Sequence, residues 1–98
     1  MTSAALANQT VDARVRVRVV YLARLREALD VAEEALVLSG TPNVRDVVET
    51  LRARGGAFAR ELAPGRAFRV ALNHALASPE RPLHDGDEVA FLPPVTGG

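Results

Sequence analysis

Residues 83–98 read LHDGDEVAFLPPVTGG, a stretch that joins a turn, a strand and an extended chain end. Asp-Gly-Asp has the composition of a turn, and the apolar residues after it predict a last strand over residues 88–92. Pro93 and Pro94 have no N–H to donate to a sheet ladder, so the strand must end before them. At about 3.3–3.6 Å per residue, the segment 93–98 then projects roughly 20 Å from the sheet.

The chain ends in Gly97 and Gly98, two residues without side chains. A main-chain carboxylate reacts poorly until it is activated, for example as an adenylate, and an activating enzyme must bring ATP against it. A Cβ atom would obstruct a narrow channel around the terminal backbone, and glycine removes that obstruction. We therefore interpret Gly98 as the reactive end, with Gly97 beside it. The rest of the tail is then the part that a processing enzyme binds: Pro93, Pro94, Val95 and Thr96.

The first strand and the main helix show clear periodicity. Residues 14–22 read RVRVRVVYL, and this alternation predicts a half-buried strand. Asn43 is a good N-cap for a helix whose apolar residues, three and four apart, form one stripe. The stripe consists of Val44, Val47, Val48 and Leu51. We expect Gly55 and Gly56 to end this helix.

The remaining segments complete the expected fold. They predict, in chain order, a connection with a short helical turn, a second strand, another helical turn and the two strands of a hairpin. These segments are residues 23–34, 35–38, 57–63, 68–72 and 75–77. Asn73 and His74 form the hairpin turn between the last two. The order predicts an α+β roll, with a mixed sheet of about five strands over one main helix.

A chain of 98 residues, nearly half of them hydrophobic, suits one domain. We divide it into a flexible N-terminal extension over residues 1–13, a folded domain over 14–92 and a flexible tail over 93–98. The formal net charge is zero, so we expect no nucleic acid partner and no anionic membrane partner. No stretch resembles a signal peptide or a membrane span, which favours a cytoplasmic location.

Residue usage also limits the chemistry. The chain has no Cys, and His74 and His84 lack the spacing of metal ligands, so we expect no metal site. Asp85 and Asp87 lie beside a glycine but lack the remaining ligands of a calcium loop. All twelve basic residues are Arg, so no side-chain amine of this chain can accept an isopeptide bond.

Residues from about 17 to 98 resemble the ThiS/MoaD family of ubiquitin-like sulfur carriers, which includes the small subunit of molybdopterin synthase. The most specific match is the closing stretch, with its turn, its strand, its Pro-Pro-Val and its terminal Gly-Gly. Weaker matches are residues 21–27 and 72–73. Two residues depart from the family pattern: Asp30 lies where glycine is frequent, and His74 replaces a small or polar turn residue.

The resemblance implies a β-grasp (ubiquitin-like) fold and a sulfur-transfer cycle. An adenylating activating enzyme (MoeB-like) uses ATP to adenylate Gly98, and a sulfur donor converts the adenylate into a thiocarboxylate. The tail then enters a pocket of the molybdopterin synthase large subunit (MoaE-like). There its sulfur passes to a cyclic pterin precursor and forms the dithiolene of molybdopterin. In this cycle the chain binds no cofactor and serves as a co-substrate rather than as a catalyst.

Three alternative functions stay open at this point. The first is a sulfur carrier for thiamine or cysteine biosynthesis. The second is a ubiquitin-like protein modifier, joined through Gly98 to lysines of other proteins. The third is an interaction domain with an inert tail.

The sheet face opposite the main helix predicts a docking surface at the base of the tail. Strand parity places apolar side chains of the first and last strands, Val20 and Ala90 among them, on that face. An exposed apolar patch beside a reactive tail suits a partner interface, and an arginine at its edge would pair with a partner carboxylate. The predicted interface residues are Leu22, Arg26, Leu76 and Leu92. The alternative is that the leucines pack on the tail or on the N-terminal extension.

Overall fold

The computed structural model describes residues 14–94. Its strands are β1 (Arg14–Tyr21), β2 (Glu33–Ser39), β3 (Arg69–Leu72), β4 (Ala75–Leu76) and β5 (Glu88–Leu92). Its helices are α1 (Ala23–Leu29), α2 (Val44–Arg52) and α3 (Gly56–Glu61). The predicted extension over residues 1–13 lies outside the described residues.

The five strands form one mixed sheet in the order β2-β1-β5-β3-β4. Strand β1 pairs antiparallel with β2 and parallel with β5, while β3 pairs antiparallel with both β5 and β4. The last strand in chain order therefore lies in the middle of the sheet, between β1 and β3. This arrangement confirms the predicted β-grasp roll with its mixed five-stranded sheet.

The core lies between the sheet and its helices, as the alternation in β1 predicts. Val17, Val19 and Tyr21 are buried, and so are their neighbours Val89 and Phe91 on β5. On α2, three residues of the predicted stripe are buried and one is half-buried. The Tyr21 ring stacks on Phe91 with 5.8 Å between centroids. Burial raises the pKa of the Tyr21 hydroxyl, which donates a hydrogen bond to a Glu34 carboxylate oxygen at 2.8 Å.

Helix α2 begins as predicted and ends earlier than predicted. Asn43 Oδ1 accepts a bond from the Asp46 N–H at 3.0 Å, and Asp46 Oδ2 accepts one from the Asn43 N–H at 2.8 Å. This reciprocal pair is a capping box. The helix stops at Arg52, so the prediction that Gly55 and Gly56 end it was wrong. Gly55, at φ 80°, instead forms the turn that leads into α3.

The connection between β1 and β2 is more regular than predicted. A full helix, α1, replaces the short helical turn because Leu25 and Leu29, four residues apart, both reach the core. Strand β2 accordingly begins at Glu33, two residues before the predicted start. Helix α1 closes at Asp30, whose φ of 58° is left-handed. Glycine takes up that conformation without strain, and Asp is one of the few other residues that tolerate it.

The hairpin of β3 and β4 turns through Asn73 and His74, as predicted. Both residues have positive φ, 49° and 75°, as a two-residue type I′ turn requires. The strand bounds differ from prediction by one residue at the start of β3 and at the end of β4, and those of β5 agree.

Candidate functional site

The tail leaves the domain from the central strand of the sheet. Strand β5 is held on both sides, with Phe91 opposite Tyr21 of β1 and opposite Val70 of β3. The last backbone bond from β1 runs from the Leu22 N–H to the Phe91 carbonyl at 3.0 Å. Beyond Leu92 the prolines have no N–H, so the ladder stops at the predicted residue. The direction of the tail at its origin is therefore fixed by two neighbouring strands.

The first two tail residues form one wall of a small cleft. Pro93 and Pro94 are half-buried and line this cleft together with four residues of α1 and of the loop before β3. Those four are Arg24, Gly65, Arg66 and Ala67. We call these six residues the root cleft. The predicted site residues Val95, Thr96, Gly97 and Gly98 lie outside the described residues, so their roles stay predictions.

A buried carboxylate organises the charges around the root cleft. Glu61 is 7% exposed and is the only buried charged residue within the described range 14–94. Its Oε1 lies 3.2 Å from Arg24 Nη1 and 3.0 Å from Arg66 Nη2, while its Oε2 lies 3.5 Å from Arg60 Nε. Burial alone would raise the pKa of Glu61, but the hydrogen bonds and charges of Arg66 and Arg24 outweigh it and lower that pKa. Glu61 is therefore an anion that fixes two arginines of the cleft.

Sequence reasoning missed this cluster, although one signal for it existed. Glu61 directly precedes Leu62, which is expected to face the core, so a buried carboxylate paired with an arginine is compatible with the sequence. Nothing in the spacing connects Arg24 with Glu61, however, because they are 37 positions apart. Only the packing of α1 beside α3 brings the two side chains together.

The open face of the sheet carries the predicted apolar side chains, but the middle of this surface is less exposed than predicted. Register aligns Val20, Ala90, Ala71 and Leu76 in one row across four strands. The two alanines are buried in the middle of this row, while Leu76 at its end is 62% exposed. Leu92 is half-buried and lies opposite Arg69, one row closer to the root cleft.

The other two predicted interface residues lie where β1 passes into α1. Leu22 is exposed directly after β1, and Arg26 is exposed on α1. The structure thus places the leucines on or beside the open face, as predicted, and leaves their role as an interface untested. It also shows an exposed valine that sequence reasoning did not select, Val37, on β2.

A larger cavity of about 630 Å³ lies between α2 and the β3–β4 hairpin. It shares Gly65 and Arg66 with the root cleft but is not lined by either proline. Within residues 14–94, no three His, Asp or Glu side chains are close enough to hold a metal ion. No helix in that range has the length and hydropathy to cross a membrane.

The family model described as the ThiS family matches residues 19–98, which include nearly all of the domain and the whole tail. The chain belongs to the ThiS family. Among its ThiS-family relatives is the molybdopterin synthase sulfur carrier subunit of Escherichia coli, 37% identical over 84% of this chain and 99% of the relative. The protein of the same name from Mycobacterium tuberculosis is 36% identical over 86% of this chain and 99% of the relative.

Solved structures agree with this assignment to the ThiS family. Molybdopterin converting factor, subunit 1, from Pyrococcus furiosus has a TM-score of 0.71 and 30% identity, over 83% of this chain and 99% of that one. Small archaeal modifier protein 1 from Methanosarcina acetivorans has a TM-score of 0.67 and 28% identity, over 88% and 99%. A complex of subunits 1 and 2 of molybdopterin-converting factor from Helicobacter pylori matches with a TM-score of 0.57 and 25% identity, over 86% and 100%.

Proposed function

We propose that this chain is the sulfur carrier subunit of a molybdopterin synthase, with Gly98 as the residue that carries the sulfur. The observation that carries the proposal is a combination of two features, Pro93 and Pro94 directly after a central strand and a Gly-Gly end. The relatives of this chain are named molybdopterin synthase sulfur carrier subunits. A root held between two strands gives the tail a defined origin. Two terminal glycines give its end the smallest cross-section that a peptide can have.

The chemistry of the proposed cycle takes place at the terminal carboxyl group. The Gly98 carboxylate attacks the α-phosphate of ATP, which yields an acyl adenylate and releases pyrophosphate. Hydrosulfide released from a sulfur donor attacks the acyl carbon and displaces AMP, and the product is a thiocarboxylate on Gly98. This group is an anion at neutral pH with a nucleophilic sulfur. The sulfur attacks a cyclic pterin precursor and forms a thioester between Gly98 and the pterin. Water then cleaves the acyl C–S bond, which leaves the sulfur on the pterin and restores the Gly98 carboxylate.

The partners follow from this cycle. We propose that the tail enters the large subunit of molybdopterin synthase, since the Helicobacter pylori structure is a complex of two subunits of the molybdopterin-converting factor. An adenylating enzyme would precede that step and would use the ATP, so the carrier itself needs no cofactor. The open face is the surface that we assign to these partners, because Leu22 and Leu92 lie beside the origin of the tail.

A protein modifier is the second candidate, and the likeness to small archaeal modifier protein 1 favours it. Both functions begin with adenylation of the terminal glycine and differ in the nucleophile that follows. A sulfur donor leads to a carrier, whereas a lysine of another protein leads to a conjugate. The absence of Lys from this chain fits either function.

Intact-mass measurement of the chain purified from its natural source tests the proposal. A carrier gains about 16 Da when one terminal oxygen is replaced by sulfur. Alkylation of the thiocarboxylate should add one label, which maps to the C-terminal peptide. A chain found only as higher-mass conjugates, with no 16 Da species, would favour the modifier and contradict the proposal.

A further inference from the structure

The root cleft carries more positive charge than its own structure uses. Glu61 supplies one negative charge, and three guanidinium groups lie within 3.5 Å of it. A guanidinium has five N–H donors, and Arg24 and Arg66 each direct one nitrogen at Glu61. Their side chains are 57% and 45% exposed, so most of their donors remain open to solvent. A buried anion thus holds two cations in place without neutralising the surface that they form.

The position of these arginines is as informative as their charge. Arg24 comes from α1 and Arg66 from the loop before β3, and both line the same cleft as Pro93 and Pro94. A protein that binds the tail along its whole length must also contact this cleft, because the tail begins there. Arg69, which is exposed opposite Leu92, extends the same charge toward the open face.

We propose that the Arg24–Arg66 pair binds an acidic segment of the protein that receives the tail. The inference rests on the proposed function, because it needs a partner that takes the tail. Carboxylates match guanidinium groups in geometry as well as in charge. Glu61 already binds the two guanidinium groups in this way from the protein side. The partner's carboxylates approach from the solvent side and fix the angle at which the tail enters.

The reacting nucleotide is a poorer match for this charge. A tail extended in a channel carries Gly98 about 13–14 Å beyond Pro94, at about 3.3–3.6 Å per residue. Phosphates at the terminal carboxyl group would therefore lie beyond the reach of either guanidinium. The charge lies at the origin of the tail, where only the body of a partner protein makes contact.

The test measures binding of the full chain to the molybdopterin synthase large subunit of the same organism, at several salt concentrations. The test variant is Arg24→Gln with Arg66→Gln, which removes two charges but keeps amide donors for Glu61. The control is Arg45→Gln with Arg81→Gln, which removes two exposed charges outside the root cleft. A third variant, Arg24→Lys with Arg66→Lys, keeps the charge.

We expect the test variant to associate about tenfold more slowly than the parent at low salt, with a smaller difference at high salt, because charges at an interface act mainly on association. The control should stay within about twofold, and the lysine variant should recover most of the loss. Thermal unfolding confirms that each variant is folded. If the double glutamine variant does not fold, Arg24→Gln and Arg66→Gln are measured singly.

Three outcomes would overturn the inference. Equal binding of the test variant and the parent at all salt concentrations would show that the arginines do not meet the partner. Equal losses in the test and control variants would assign the effect to net charge. A parent chain that does not bind the large subunit at all would overturn the proposed function and this inference with it.

Discussion

The two ends of β5 are built in opposite ways. At its start, side chains and backbone are densely hydrogen-bonded: Asp87 Oδ2 accepts from the His84 N–H at 2.8 Å, and Asp87 Oδ1 accepts from Asn73 Nδ2 at 3.0 Å. Asn73 Oδ1 in turn accepts from the Glu88 N–H at 2.9 Å. At the other end, two prolines remove the donors altogether. The hydrogen bonds at the start fix the register of β5. At the other end the pairing stops after Leu92, so the tail begins at a fixed place and in a fixed direction.

This contrast predicts that stability and activity depend on different ends of the same strand. The start should affect folding and leave the chemistry intact in every molecule that folds. The tail should affect the chemistry and leave folding intact. Four changes test this separation, beginning with the one whose effect should be largest.

Addition of one residue after Gly98, or deletion of Gly98, should abolish sulfur transfer. The reactive carboxyl group is then displaced from the position that an activating enzyme addresses, while the residues that form the core are untouched. We expect no product in a reconstituted transfer assay and unchanged thermal unfolding. A residue added at the N-terminus is the matched control. An extended variant that transfers sulfur without being trimmed would contradict the terminal-carboxylate mechanism.

Leu92→Asp, or Leu22→Asp, should weaken binding to the large subunit by about 2 kcal/mol or more, which is roughly 30-fold. The reason is that a charge enters an apolar contact beside the tail. Val37→Asp is the matched control, since Val37 is 50% exposed on the edge strand β2 and pairs with Arg16, far from the end of β5. Titration calorimetry on all three variants measures the difference. If Val37→Asp weakens binding as much as Leu92→Asp, the interface is not centred on the root of the tail.

Asp87→Ala should lower the free energy of unfolding by about 1–3 kcal/mol, because it leaves two donors at the start of β5 without their acceptor. Urea unfolding measures this cost. Asp85→Ala is the comparison: Asp85 is exposed, and within residues 14–94 its side chain accepts one hydrogen bond, from the Arg16 N–H at 2.8 Å, so we expect a smaller loss. Sulfur transfer per folded molecule should be unchanged in both variants. A transfer defect in folded Asp87→Ala would show that the two ends of β5 are not separable.

The contribution of Asp87 should also depend on pH. Burial raises the pKa of Asp87, but the hydrogen bonds from Asn73 and His84 outweigh it, so the pKa in the folded state is lowered. A lowered pKa stabilises the fold above the unfolded value of about 3.9, and this stabilisation is lost as the pH falls toward the folded value. The difference in unfolding free energy between the parent and Asp87→Asn should therefore be constant near neutral pH and shrink below about pH 4. A difference that stays constant in acid would contradict this role.

Local chemistry explains how far the fold was predictable from sequence. Alternation in β1, the N-cap at Asn43 and the prolines after Leu92 each depend on residues a few positions apart, and each prediction was confirmed. The ends of α1 and α2 were less predictable because tertiary packing decides them. Leu29 makes α1 longer by reaching the core, and α2 stops before the glycines because Gly55 is needed in the turn to α3.

The candidate site was likewise predictable only in part. The Pro-Pro root and the parity of Leu22 and Leu92 follow from local rules, so their positions could be predicted. The Glu61 cluster could not, because it joins Arg24 and Arg66 from segments that are separate in sequence. The roles of Val95 to Gly98 depend on partners, and no local rule of folding specifies those.

The parallel pairing of β1 with β5 has a consequence for how the protein folds. Arg18 contacts Glu88 across 70 positions of sequence, so a very long loop must close before the central strand is in place. Pairing of this kind is slow relative to local hairpins and helices. The root of the tail exists only after that closure, since β5 holds it between two strands. We therefore expect an enzyme that recognises the root of the tail to act only on molecules in which β5 is already in place.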